Sequence, residues 1–110
     1  MAVFAFLYRP TRSLTQAETA ERAQRIRAWA LALREAGQIL VVSAFDEEAC
    51  VLKHDGGVID GGAATLAGCT LVSAADLDAA LAIAQEFPGR AFGTDVEIRP
   101  VKTFLPPLAQ

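Results

Sequence analysis

Ala2-Val3-Phe4-Ala5-Phe6-Leu7-Tyr8-Arg9 places seven apolar side chains in succession before the first charge. A strand sends successive side chains to opposite faces. Val3, Ala5 and Leu7 therefore form one apolar face, and Phe4, Phe6 and Tyr8 the other. Ile39, Val41 and Phe45 alternate in the same way with Leu40, Val42 and Ala44. An antiparallel sheet with one wet face reads apolar-in, polar-out, and these strands do not. The chain has two helical stretches, enough to cover one face. A second copy is expected over the other, as a homodimer. The hydrophobic fraction of 53% exceeds the usual ~45–50%, which fits an additional surface to hide.

Working outward, Pro10 is expected to stop the first strand. Ser13 and Thr15 offer helix N-caps, with Gln16 and Glu18 at the capping-box spacing. A long helix follows to about Ala36. Ala23, Ile26, Ala30 and Leu33 form its apolar stripe, and Glu18–Arg22 and Glu21–Arg25 are i,i+4 pairs in the favourable order. Gly37 is the expected C′ residue. A second strand covers about Gln38 to Phe45. Ala49 to Lys53 and Val58 to Asp60 read as a small hairpin around His54-Asp55-Gly56-Gly57. A small-residue loop, Gly61 to Gly68, precedes a strand at Cys69 to Val72. Ser73, with Asp76 three residues on, opens a second helix with the stripe Leu77, Ala80, Leu81, Ala84 and Phe87. The last strand runs from about Asp95 to Thr103, and Pro100 marks it as an edge or a bulge. The order is β-α-β-(hairpin)-β-α-β. It predicts an α+β domain with both helices on one face of a four-stranded antiparallel sheet. Residues 1–104 form this single domain, and 105–110 a proline-containing tail.

Composition excludes several functions. The net charge of −3 supplies no basic field, so nucleic acid is not an expected partner. The opening run is too short for a signal peptide or a membrane span, so no membrane partner is expected and cytoplasm is the expected location. Cys50 and Cys69 lack metal-motif spacing and read as buried, unpaired thiols. The paired glycines match neither a dinucleotide fingerprint nor a P-loop. No metal or cofactor is expected.

Several stretches carry a family resemblance. They are Phe6-Leu7-Tyr8-Arg9, the helix with Trp29 ending at Ala36-Gly37, and His54-Asp55-Gly56-Gly57-Val58-Ile59-Asp60-Gly61. Gly68-Cys69-Thr70-Leu71-Val72, Asp76-Leu77-Asp78-Ala79-Ala80-Leu81 and Val96-Glu97-Ile98-Arg99-Pro100-Val101 complete the set. Together they resemble the YCII-related family, in its DGPF-domain branch, over nearly all of the chain except the tail. The resemblance implies a ferredoxin-like βαββαβ fold and a dimeric α+β barrel in which two sheets pack face to face. Some family members look like small lyases or dehalogenases with a His–Asp pair, and some are associated with sigma factors. The branch motif stands here in degenerate form, as Asp60-Gly61-Gly62-Ala63. The first-helix histidine of the His–Asp members has no counterpart.

Candidate site residues follow. His54 is the sole histidine, suited to acid–base work near neutrality, or else an exposed turn residue. Asp60 occupies the motif aspartate position, as a proton acceptor or as a turn cap. Arg9, and with less reason Arg99, offers a bidentate clamp for a carboxylate, or a surface salt bridge with Glu97, Asp46 or Asp95. Tyr8 and Trp29 line a pocket or belong to the core. The expected function is binding of a small, anionic organic molecule, with lyase- or isomerase-type proton transfer by His54 or Asp60. The alternative is a non-catalytic accessory or interaction protein.

Overall fold

The computed structural model describes residues 2–46, 48–60 and 66–105. In chain order the elements are β1 (Ala2–Pro10), α1 (Gln16–Glu35), β2 (Ile39–Ala44), β3 (Cys50–Leu52) and β4 (Val58–Asp60). There follow β5 (Gly68–Ala74), α2 (Leu77–Gln85), a 3-10 turn (Pro88–Phe92) and β6 (Thr94–Pro100). The main sheet is antiparallel with strand order β2-β5-β1-β6, and β3 and β4 form a separate two-stranded sheet.

Local chemistry sets the helix boundaries. At α1, the Thr15 hydroxyl accepts from Glu18 N–H and the Glu18 carboxylate accepts from Thr15 N–H, a complete capping box. Gly37, at φ 72°, follows its C-terminus. The α2 cap is Asp76, whose carboxylate accepts from Ala79 N–H at 2.8 Å. Ser73, expected to open this helix, lies inside β5. Pro10 stops β1 as expected and is itself the last residue of the strand, opposite Thr94 on β6. The missing N–H of Pro10 costs no ladder bond, because pairing of β1 with β5 stops at Tyr8 and Gly68. The last strand closes at Pro100, on the edge strand β6.

The core lies between one sheet face and the helices. Phe4, Phe6 and Tyr8 of β1 and Val72 and Ala74 of β5 pack against Ala80, Ala84 and Phe87, with Ile26 and Trp29 of α1 partly buried beside them. Leu77 and Leu81, expected in this core, are 50% and 44% exposed. Helix α2 meets the sheet through Ala80 and Ala84, whose small side chains allow close approach, and the leucines fall to the flanks. No residue of α1 is fully buried, so this helix stands off the sheet.

The opposite sheet face carries Val3, Ala5 and Leu7, with Leu71 and Cys69 across from Ala5 and Leu7. A bulge between Ile39 and Val41 changes the alternation of β2. Ile39 and Val42 pair with Val72 and Thr70 on the helix side, whereas Val41 joins Leu71 on the open side. Glu97 and Arg99 of β6 border this open face. Among the described residues no helix is long and apolar enough to cross a membrane.

Candidate functional site

Because α1 stands off the sheet, an apolar groove of about 420 Å³ runs between it and the edge strand β2. Ala23, Ile26, Ala30 and Leu31 form the helix wall, and Ile39, Val42 and Ala44 the strand wall. Arg22, Arg27 and Arg34 of α1 also line it. A smaller space of about 60 Å³ lies deeper, lined by Tyr8, Thr70, Phe87, Ser43 and Ala67. Arg22, Ile26, Val42 and Ala44 line both, as a common wall.

The inner pocket is polar at one point. The Tyr8 hydroxyl donates to Thr70 Oγ1 at 2.7 Å, and both residues are buried. Tyr8 stacks on Phe87 with ring centroids 4.2 Å apart, and Trp29 meets Phe87 edge-on at 5.2 Å. Loss of water around Tyr8 outweighs its hydrogen bond to Thr70 and pushes its pKa from 10.0 up to about 12. At neutral pH Tyr8 is therefore a hydrogen-bond donor, not a base. Gly89 lets the Phe87 ring take this position, since a Cβ there would strike the ring.

Arg22 is the charged group of the common wall. Its guanidinium donates to Thr94 Oγ1 at 3.3 Å and lies 6.0 Å from the Phe87 ring centroid. Burial lowers its pKa from the ordinary arginine value, yet an arginine remains charged. Among the described residues neither Arg22, Arg27 nor Arg34 forms an ion pair. The expected partner of Arg22, Glu18, is committed elsewhere, to the capping box and to Arg12 at 3.1 Å. These contacts, the Thr15 backbone first, also lower the Glu18 pKa. A partly desolvated cation with neutral partners and an apolar approach has charge left to offer an anion.

The expected site residues fall into separate places. Arg9 and Tyr8 are adjacent in β1 and thus on opposite faces. Arg9 lies on the open side and pairs with Glu97 at 3.0 Å, and Glu97 also receives Arg99 at 3.5 Å. Tyr8 lines the inner pocket, and Trp29 reaches it through Phe87. His54 is exposed in the β3–β4 turn. Its neighbour Asp55 accepts from Gly57 N–H at 2.9 Å, which engages that carboxylate in the turn. Among the described residues none of the hairpin lines the groove or the inner pocket. Asp60 ends β4; its side chain, and residues 61–63 of the degenerate motif, lie outside the described residues. Cys50 and Cys69 are free thiols, as expected, but Cys50 is exposed and Cys69 only partly buried. Among the described residues no group of His, Cys, Asp and Glu side chains could hold a metal ion.

Sequence reasoning missed Arg22. The readable signal was its position four residues before Ile26, on the sheet-facing stripe, where a charge is out of place on a purely structural helix. Comparison with protein-family models and with curated proteins gives no match for this chain.

Proposed function

We propose that this protein binds a small amphipathic anion, with the apolar body in the groove between α1 and β2 and the anionic head at Arg22. The observation that carries this reading is Arg22 itself: partly buried, without a carboxylate partner among the described residues, on the wall shared by an apolar groove and a hydroxyl-bearing pocket. The groove volume of about 420 Å³ is within the ~300–1,000 Å³ of small-molecule sites. Arg27 and Arg34 add positive charge along the helix wall and favour an anion over a neutral ligand.

Binding without catalysis is favoured over proton transfer. The groove and inner pocket contain no described histidine or carboxylate, and Tyr8 stays protonated near neutrality. The accessory-protein alternative thus takes the form of a ligand-binding subunit.

The assembly we propose is a homodimer of ferredoxin-like protomers, as the YCII-related resemblance implies. The strand order β2-β5-β1-β6, with a two-stranded insertion after β2, supports the ferredoxin-like assignment. The open sheet face supports pairing with a second copy: Val3, Ala5, Leu7 and Leu71 form an apolar strip there, flanked by the charges of β6. Free thiols at Cys50 and Cys69 fit a reducing compartment such as cytoplasm.

Trp29, the sole tryptophan, reports on the site through Phe87. Decanoate is expected to give a saturable change in its fluorescence and to bind at least ~10-fold more tightly than 1-decanol. In Arg22→Met the preference for the carboxylate disappears. Equal affinity of the wild-type protein for both probes would reject the anion site.

A further inference from the structure

The groove between α1 and β2 carries an arginine at each end. Only residues 36–38 separate the two elements, and Gln38 N–H donates to the Leu33 carbonyl at 2.9 Å. The chain thus doubles back, and the end of the helix lies beside the start of the strand. Arg34 and Ile39 mark this end of the groove. Arg22 and Ala44 mark the other, where both also line the inner pocket. From Arg22 to Arg34 the helix rises roughly 18 Å, at ~1.5 Å per residue. From Ile39 to Ala44 the strand advances roughly 17 Å, at ~3.3 Å per residue. The two walls therefore agree on the length of the groove.

Between these ends the walls are apolar, with Ala23, Ile26 and Ala30 on the helix facing Val42 on the strand. Among the described residues no carboxylate lines the groove, and Arg34 forms no ion pair. Arg34 stands in the last turn of α1 and complements the helix dipole there, a role that leaves its hydrogen-bond donors open to a ligand in the groove. An unbranched chain with its head at Arg22 runs along the apolar walls and brings its far end to Arg34. A methyl end would meet a cation there, whereas a second carboxylate would pair with it. We propose, building on the Arg22 anion site proposed above, that the ligand is a linear dicarboxylate with one acid group held at Arg22 and the other at Arg34. Carbon–carbon bonds of ~1.5 Å at angles of about 111° advance an extended chain by about 1.25 Å per carbon. The carboxyl carbons of tetradecanedioate then lie roughly 16 Å apart, which fits the length of the groove.

Calorimetric titration at about pH 8, where both acid groups are ionised, compares tetradecanedioate with its monomethyl ester and with the corresponding diol. The diacid is expected to bind about 10-fold more tightly than the monoester, and the monoester about 10-fold more tightly than the diol. In Arg34→Met the diacid falls to the affinity of the monoester. Arg27→Met removes the same charge from the same wall; it weakens both ligands and keeps their ratio. Arg27 and Arg34 are exposed, so both variants keep the wild-type circular dichroism spectrum. A diacid that binds the wild-type protein no more tightly than the monoester, with the monoester still ahead of the diol, overturns the second anchor and leaves the Arg22 site standing. A monoester that binds no more tightly than the diol rejects the Arg22 site and the dicarboxylate with it. Equal loss of the diacid preference in Arg27→Met and Arg34→Met shows general attraction of a dianion to a positive wall, and overturns the end-to-end placement.

Discussion

Tyr8 is the sole tyrosine of the chain, so tyrosinate absorbance near 295 nm reports on one group at the floor of the inner pocket. Burial raises its pKa from 10.0 to about 12 in the folded protein. An unfolded chain ionises at the ordinary value. Ionisation thus favours the unfolded state, and the contribution of neutral Tyr8 is complete below pH 10 and is lost as pH rises towards 12. Each pKa unit is worth ~1.4 kcal/mol, so the full loss is about 2.7 kcal/mol, with about half of it reached at pH 11. Urea unfolding at pH 9 and 11 measures this loss, and Tyr8→Phe subtracts the contribution of every other group. The wild-type protein is expected to lose about 1.4 kcal/mol more than Tyr8→Phe over that interval. Tyrosinate should form near pH 12 in the native protein and near 10 in urea. A native midpoint at 10 would refute the buried, Thr70-bonded placement of Tyr8.

Further expectations concern packing. Phe6, fully buried, should lose about 3–5 kcal/mol of stability on substitution by Ala. Leu81→Ala should cost under ~1 kcal/mol because Leu81 is 44% exposed; equal losses in urea unfolding would show α2 rotated from the orientation described. A Cβ on Gly68 would collide with the Ser43 carbonyl of β2, so Gly68→Ala should cost about 1–3 kcal/mol and loosen β2 in amide exchange. Unchanged protection of the β2 amides would contradict the close β2–β5 approach.

Much of the fold was legible because local chemistry and periodicity agreed. Thr15 and Glu18 carry the helix start in their own side chains, and Gly37 the stop. Asp55-Gly56 marks the hairpin turn, with Gly56 at φ 93°. The doubly apolar strands announced a sheet whose second face is not covered by α1 or α2. Four features were not legible. The bulge in β2 is fixed by pairing with β5, which no window of β2 contains. The α2 stripe was read as Leu77, Ala80, Leu81, Ala84 and Phe87, of which close packing buries Ala80, Ala84 and Phe87 and leaves the two leucines on the flanks. Arg22 was read as half of a surface pair with Glu18, but Arg12, contributed by the loop before α1, takes that carboxylate. The groove itself depends on how far α1 stands from β2, a tertiary distance that no residue pattern encodes.

Mapping amide and methyl shifts by NMR while decanoate is added to the protein tests the binding site most directly. Saturable shifts are expected to concentrate at Arg22, Ile26, Ala30, Val42 and Thr70, all reduced in Arg22→Met. Shifts that centre instead on Arg9, Glu97 and Arg99, or that increase linearly without saturation, would contradict it.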